Sequence, residues 1–508
     1  MRLRAVWPWL IGGAGAAALA IGVGELAAAL LNAPSIVASI GELIISLQPP
    51  GAKDLMVALF GDADKLALEV GVLLGGLLVG ALLGLAARRD MRLATLGFGV
   101  FGIVAYLVVA RDPLFEPLPA AITVVLAATS GALALPYLLP GQPRRTAAAT
   151  EVAPTLGRRP LLLSGAALGA GALLTGVGRS LTAQVPAVAA PPITIPPASE
   201  TLPPPAAGAS LDVPELTPII VPNEDFYRID TRLSIPRLTA DDWTVRVHGM
   251  VDRELTLSYA QLAQMPLIER YVTIACVSNE VGGYLVGNAK WTGVRLAEVL
   301  QAAGVQAGAT QIVGRSFDGW TAGFPTAHLA GAGADALIAL KMNDEVLPAS
   351  HGFPLRLIVP GLYGYVSAAK WLSEIELNRL EDYDAYWVPL GWAKEAPILT
   401  QSRIDVPRNG SRLSPGAVVV AGVAWAPTRG IGAVEVQADD GPWTPAQLSQ
   451  PLSTAAWVQW QASVDLGAGS HTLRVRATDG SGALQEERRT PPAPDGARGW
   501  HAVQVSVG

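Results

Sequence analysis

The chain of 508 residues holds one cysteine, Cys276. A single thiol can form no internal disulfide, hold no cysteine-ligated iron–sulfur cluster and build no C-x-x-C-H haem attachment. Two readings remain: an inert buried side chain, the common fate of a free cysteine, or a metal ligand or nucleophile. Its neighbours define the setting. Tyr271-Val272-Thr273-Ile274-Ala275 has the β-branched and aromatic composition of a strand. Val277-Ser278-Asn279-Glu280-Val281-Gly282-Gly283 is a polar loop with two glycines. A thiol at that junction is placed to project into a cleft. Other reactive groups are dispersed. His248, His328, His351, His471 and His501 stand singly, and there is no H-E-x-x-H, no G-x-S-x-G and no G-x-x-x-x-G-K-[ST], which removes zincins, nucleophile-elbow hydrolases and P-loop enzymes.

The elements that must position Cys276 change character along the chain. From about residue 216 to 400 the pattern is mixed. Trp243–Met250 alternates like a half-buried strand, Ser258–Met265 reads as a short helix capped by Ser258, and Arg295–Ala303 reads as a second helix. Arg356–Val359 is a short strand ending at the turn signal Pro360-Gly361. Without regular βα alternation this is an α+β domain. From 401 to 508 the runs Ala417–Ala424, Val434–Ala438, Trp457–Val464, Thr472–Thr478 and Ala502–Val507 alternate with Gly, Pro and Asp, the pattern of an all-β, immunoglobulin-like sandwich. Residues 181–215, with Pro191-Pro192, Pro196-Pro197 and Pro203-Pro204-Pro205, form an extended Pro/Ala-rich linker.

Residues 1–180 form a helical membrane anchor. Five apolar stretches are long enough to span: Val6–Leu31, Leu66–Ala87, Leu93–Ala110, Leu118–Leu139 and Leu161–Gly178. Ile36–Gln48 is apolar but short, which suits an interfacial or re-entrant piece. With a cytoplasmic N-terminus the inner segments carry Arg2, Arg4, Arg88, Arg89, Arg92, Arg144, Arg145, Arg158 and Arg159, and the outer loops only Lys53, Lys65 and Arg111. That asymmetry puts everything beyond about residue 180 outside the cytoplasmic membrane. Arg158-Arg159-Pro160 before a Gly/Ala-rich run is similar to a twin-arginine export signal, and equally consistent with ordinary inner-face arginines. Glu25 lies in the first span near its outer end, where interfacial solvation is the expectation. No histidine precedes His248, so the spans supply no imidazole pair for a haem. Residues 181–508 carry 23 Lys/Arg against 32 Asp/Glu, net −9, a charge that disfavours nucleic acid.

Two segments carry a resemblance. Thr273-Ile274-Ala275-Cys276-Val277-Ser278-Asn279 is similar to the loop bearing the molybdenum-ligating cysteine of sulfite oxidases. His351-Gly352-Phe353-Pro354-Leu355-Arg356-Leu357-Ile358-Val359-Pro360-Gly361, followed by Lys370-Trp371, resembles that family's pterin-phosphate segment. The resemblance covers about residues 216–508 and takes in the molybdenum-dependent methionine sulfoxide reductases. It implies a mononuclear molybdenum–molybdopterin cofactor with Cys276 as metal ligand; the single cysteine and the histidine-free spans set the expectation of no haem and no iron–sulfur cluster. His351, Arg356 and Lys370 match cofactor-binding positions, with Ser367 and Ala368 beside Lys370. Asn223, Tyr227, Arg228, Asp230 and Thr231 occupy the first cofactor segment, Ser278 and Asn279 follow the metal ligand, and Ser316 and Asp318 match a further pterin-contacting loop.

Departures from the family bear on substrate. Where sulfite oxidases show Arg-Asn-His this chain has Ile229-Asp230-Thr231, and where they show Gly-Asn-Arg-Arg it has Ser278-Asn279-Glu280-Val281. Positive charge is missing where sulfite should bind. The active-site tyrosine has no clear counterpart; Gly391-Trp392 falls near its place, and Tyr383 and Tyr386 are candidate substitutes. Trp320, Tyr365, Trp387 and Trp392 would make an aromatic pocket. These features favour oxygen-atom transfer from an S- or N-oxide, with sulfite oxidation second and a cofactor-free scaffold or adhesion protein third. A small-molecule oxygen donor or acceptor, a separate electron-transfer partner or quinol, and a homodimer through the C-terminal domain complete the expectation.

Overall fold

Helix length and strand alternation divide the chain as the composition does. The computed structural model describes residues 6–49, 56, 59–60, 63–140, 158–184 and 194–508; Arg2, Arg4, Lys53, Arg144, Arg145 and Pro191-Pro192 lie outside them. It separates into a helical unit, residues 1–186 with the tetrapeptide Thr231–Ser234, and a second unit of residues 187–230 and 235–508.

In the helical unit, α1 (Trp7–Leu31), α3 (Asp64–Ala86), α4 (Met91–Val109), α5 (Pro117–Leu138) and α6 (Arg158–Gln184) are long and apolar, and among the described residues these five helices are long enough to cross a membrane. α1 packs against α3, α5 and α6. Small residues allow this: Gly13 faces the backbone of Gly80 and Gly84, and Gly22 that of Gly171, so the helices approach without intervening side chains. α2 (Ile36–Leu47) is the short apolar helix. Glu25 departs from the expectation of interfacial solvation, being 5% exposed. Its carboxylate accepts from Ser35 Oγ at 2.8 Å and from Val37 N at 3.2 Å. The N-terminus of α2 folds over it and supplies the donors that water would otherwise provide. The tetrapeptide is equally well held. Arg232 Nη2 meets Asp112 at 2.8 Å, Lys65 donates to the Arg232 carbonyl at 2.9 Å, and Leu233 N donates to Glu42 at 3.2 Å.

The second unit begins with a five-stranded sheet, order β2 (Leu255–Ser258), β1 (Thr244–Gly249), β10 (Leu372–Asn378), β5 (Gln311–Ser316), β6 (Thr321–Pro325). A second sheet joins β3 (Leu267–Ala275), β4 (Val286–Arg295), β7 (Leu337–Met342) and β8 (Glu345–Val346), with β9 (Arg356–Ile358) also on β7. Val272, Ile274, Trp291, Leu337, Phe353 and Leu357 are buried in one core. Ser258 caps α7 (Tyr259–Gln264) in a reciprocal capping box with Gln261. α8 (Leu296–Ala303) ends at Gly304 in the left-handed region.

Two further sheets complete the unit: β11 (Gln401–Val406), β13 (Gly416–Trp425), β17 (Val458–Leu466), β16 (Gln447–Leu448); and β12 (Ser411–Leu413), β19 (His501–Val507), β18 (Gly469–Asp479), β14 (Ile431–Ala438), β15 (Trp443–Pro445). Inward residues of both, among them Val420, Trp460, Val436, Val475 and Val505, share one apolar core, which makes the pair a β-sandwich.

Candidate active site

Cys276 sits one residue beyond the last β3–β4 pair, Ala275 with Val286. Its N–H extends the ladder to the Leu285 carbonyl at 2.9 Å, and Asn279 N returns to the Cys276 carbonyl at 3.1 Å. Asn279 Oδ1 accepts from Leu285 N at 2.8 Å, so this side chain closes the loop on itself. The half-buried thiol therefore stands at the mouth of a well-tied hairpin. Two buried phenols are coupled to it electrostatically. Burial raises the Tyr227 hydroxyl far above the ordinary range, with Cys276 adding to the shift and Arg356 opposing it. Burial pushes Tyr363 up to about 12, again with a contribution from Cys276. Nothing in the sequence singles out Tyr363, although Tyr365 beside it stands among the aromatic pocket residues.

A buried cationic cradle lies alongside. Arg356 on β9 is 5% exposed and Lys370 6%. Arg356 Nη1 donates to the His351 carbonyl at 3.0 Å, and its guanidinium lies 5.3 Å over the Trp291 ring. Burial lowers Arg356 to about 10. Lys370 Nζ donates to Asp230 at 3.1 Å and to the Ser350 carbonyl at 2.8 Å; burial brings it down to about 7, against the pull of Asp230. Gly352, at φ 116, permits this arrangement, since a Cβ there would press on the Lys370 stem at 3.1 Å. Arg228 Nε shares the same Asp230 carboxylate at 2.8 Å.

Two buried polar atoms of the cradle have no protein partner, His351 Nδ1 and Arg356 Nε, and Ser316 Oγ on β5 is a third such atom. A buried polar atom left unpaired costs about 1–3 kcal/mol, so the two in the cradle are suited to a polar ligand. His351 Nε2 donates to the Asn223 carbonyl at 2.7 Å, which leaves Nδ1 as a bare acceptor. Burial, with Arg356 and Lys370 nearby, takes His351 down to about 3 and keeps it neutral.

The remaining candidates divide. Asn223 contributes its carbonyl, while its amide binds Glu345 at 2.9 Å and the Met342 carbonyl at 3.2 Å. Asp318 accepts from Trp320 N at 3.2 Å. Ser367 is fully buried and donates to the carbonyls of Leu362 and Tyr363, and Ala368 is buried beside it. Ser278 is half-buried in the Cys276 loop. Thr231 belongs to the helical unit, not with its neighbour Asp230. Tyr383 donates to Thr321 Oγ1 at 3.1 Å and stacks under Arg315 at 4.8 Å. The Tyr386 ring lies 6.5 Å from Trp320 and 5.1 Å from Trp387, and Tyr365 lies 6.0 Å from Trp392.

Comparison with known proteins agrees with this geometry. Residues 232–387 match the family described as the oxidoreductase molybdopterin binding domain. Human mitochondrial sulfite oxidase is 30% identical over 343 residues, which cover 57% of this chain and 62% of the relative, so the chain spans about three fifths of that protein's length. A Bacillus subtilis (strain 168) protein named as the uncharacterized oxidoreductase YuiH is 32% identical over 150 residues, covering 30% of this chain and 72% of its own. Among solved structures, the sulfane dehydrogenase SoxCD from Paracoccus pantotrophus matches with a TM-score of 0.50 at 21% identity, covering 56% of this chain and 81% of that one; this likeness concerns the fold. With the tied Cys276 hairpin and the cationic cradle, these matches place the chain in the sulfite oxidase family of molybdopterin-dependent oxidoreductases.

Proposed function

We propose that the protein is a membrane-anchored enzyme of oxygen-atom transfer, working outside the cytoplasmic membrane on a neutral S- or N-oxide. The unpaired atoms His351 Nδ1, Arg356 Nε and Ser316 Oγ support cofactor binding. The charges support it too: Arg228, Lys370 and Arg356 against Asp230 give two net positive charges, the complement of a phosphate monoester dianion. Cys276 would ligate the metal, a soft thiolate suited to molybdenum. When bound, the cofactor supplies a metal centre that exchanges an oxygen atom and two electrons with the substrate. The chain's residues hold and orient it: Arg356 and Lys370 take the anionic end, His351 accepts a donor, and the tied hairpin fixes the thiol. A chain that had become a cofactor-free scaffold would gain stability by replacing Lys370 and Arg356 with apolar residues.

The charge around the Cys276 loop carries the choice of substrate. Arg403, which reaches that loop at Gly283, is neutralised by Asp405 at 2.6 Å, and Arg228 and Lys370 share Asp230. Neither the Ile229-Asp230-Thr231 segment nor Glu280-Val281 offers a guanidinium to an anion. Each missing charge-assisted hydrogen bond is worth about 1.5–3 kcal/mol, so sulfite should be disfavoured by roughly tenfold or more per group. Aromatic pairs such as Tyr365–Trp392, two residues from Tyr363, suit an uncharged substrate. Electrons would pass to or from a separate carrier or membrane quinol. Sulfite oxidation is the second reading, favoured by the names of the relatives. Viologen-linked reduction of methionine sulfoxide and trimethylamine N-oxide, assayed beside dye-linked sulfite oxidation, decides: the higher kcat/KM should belong to an oxide, and efficient sulfite turnover overturns the choice.

A further inference from the structure

The sandwich contributes more than an extra domain, because its buried polar residues grip both segments that flank the candidate site. Arg403, on the first sandwich strand β11, is 7% exposed and splits its guanidinium three ways. Nε meets Asp405 at 2.6 Å, Nη1 donates to the Gly283 carbonyl at 2.9 Å, and Nη2 donates to Thr217 Oγ1 at 2.9 Å. Gly283 closes the loop that begins at Cys276, and Thr217 opens the segment that runs to Tyr227 and Asp230. One side chain therefore fixes the separation of those two segments. A fork of five donors in one plane is suited to that task, whereas a point-charge ammonium can satisfy only part of it.

Neighbouring contacts repeat the pattern. The His501 ring lies against Gly282, which has φ 82, and its Nδ1 accepts from Ile404 N at 3.0 Å. Gln459 Nε2 donates to the Thr217 carbonyl at 2.7 Å. Trp457 Nε1 donates to the Ile219 carbonyl and its N–H to Thr273 Oγ1, each at 2.8 Å. Thr273 N in turn donates to the Ala455 carbonyl at 2.9 Å. Thr273 is three residues before the thiol. Sandwich residues thus hold the strand leading to Cys276, the loop leaving it and the segment facing it.

We propose that Arg403 is a positioning residue: through Gly283 and Thr217 it sets where the Cys276 thiol stands relative to the segment 217–230, which makes the sandwich a working part of the site. The significance of that placement rests on Cys276 as the metal ligand, but the placement itself can be read without metal. Because Cys276 is the only cysteine, an aromatic disulfide reagent reports on it alone. The full-length chain, purified cofactor-free in detergent from cells unable to make the pterin, is labelled as wild type, Arg403→Gln, Arg403→Lys and Arg476→Gln. Arg476 lies in the same sandwich, bound to Glu435 and 4.0 Å over Trp443, and controls for general loosening. Arg403→Gln should change the labelling rate by roughly fivefold, which corresponds to about 1 kcal/mol of loop restraint. Arg403→Lys should fall between it and wild type, and Arg476→Gln should match wild type.

Equal rates in Arg403→Gln and wild type overturn the proposal, as does an equal change in Arg476→Gln. If Arg403→Gln does not accumulate, His501→Ala, which lifts the ring from Gly282, is read in the same assay against the same two outcomes. In the loaded enzyme the Mo(V) paramagnetic resonance of Arg403→Lys should shift at unchanged molybdenum content. Molybdenum missing from every variant, with the labelling differences intact, would remove the metal reading and leave the positioning role standing.

Discussion

Replacing Lys370 by methionine should separate stability from cofactor retention. The buried ammonium titrates at about 7 where an ordinary lysine titrates at 10.5. At about 1.4 kcal/mol per unit, a charged Lys370 costs the cofactor-free fold about 4–5 kcal/mol at neutral pH. The attraction of Asp230 is already included in that balance. Methionine fills the same channel past Gly352 without charge. Asp230 keeps Arg228 at 2.8 Å, so the variant strands no carboxylate, though the bared Ser350 carbonyl returns about 1–2 kcal/mol. The net gain of about 2–4 kcal/mol corresponds to a rise in Tm of roughly 5 °C or more. The sign with pH is fixed by the lowered folded value. Between about 7 and 10.5 the unfolded chain binds more protons than the folded one, so wild-type stability climbs with pH across that window. The variant's advantage should be greatest near pH 7 and vanish towards pH 10. With cofactor the effect reverses: losing a charge-assisted bond to its phosphate, about 1.5–3 kcal/mol, weakens retention roughly 10- to 100-fold. Calorimetry of the cofactor-free chain near neutral and near alkaline pH, with molybdenum content after gel filtration, tests both halves. A variant less stable at pH 7, or one that keeps full molybdenum through washing, refutes the reasoning.

Three further outcomes follow from the geometry. Cys276→Ser should lose the thiolate-to-metal absorption and at least about 100-fold in turnover, while retaining molybdenum through Arg356 and Lys370; unchanged catalysis would remove Cys276 from the metal. Asp112→Asn breaks the buried pair with Arg232, which is 2.8 Å long, and should cost about 3 kcal/mol, less the support of Glu42 at 3.7 Å; helical-unit unfolding in detergent, followed by circular dichroism, would show no change if the pair is inconsequential. Burial holds His351 at about 3 against an ordinary 6.5, so the cofactor-free fold should lose stability as pH falls across that interval, where the unfolded chain takes up a proton that the folded one refuses; His351→Gln should make the acid limb shallower by nearly one proton.

Much of the site was legible because its chemistry is local. The strand-to-loop change at Cys276 and the run from His351 to Arg356 are contiguous, and Ser258 announces its helix through a reciprocal bond with Gln261. What escaped the sequence depends on long-range pairing. β1 lies parallel to β10, more than a hundred residues away, and no local period encodes that. Trp291 beneath Arg356 and Tyr363 near the thiol read as ordinary core until the sheets are assembled. Asn223 meets His351 through its backbone carbonyl, a contact that no side-chain type in the sequence announces. The short strands β12, β15 and β16 carry too few residues to alternate visibly. Thr231 and Asp230 are neighbours in sequence yet face different units, a division no adjacent residue type marks.

Under the proposed function, the charges would let one scaffold keep its cofactor while changing its substrate. Arg356 and Lys370 are buried and costly when unliganded, as the lowered values of both show; under that function a bound phosphate would convert that cost into affinity. The cations that reach the Cys276 loop and its facing segment are each compensated within the protein, Arg403 by Asp405 and Arg228 by Asp230. Electrostatic demand at the phosphate end is thereby separated from selection at the thiol end. Ile229, Glu280 and Val281 can depart from an anion-binding pattern without loosening the cradle, because the carboxylate that organises it, Asp230, also holds Arg228. Under the proposed function, substrate charge would be set by exposed residues such as Ile229 and Glu280, which can vary while the buried cations stay.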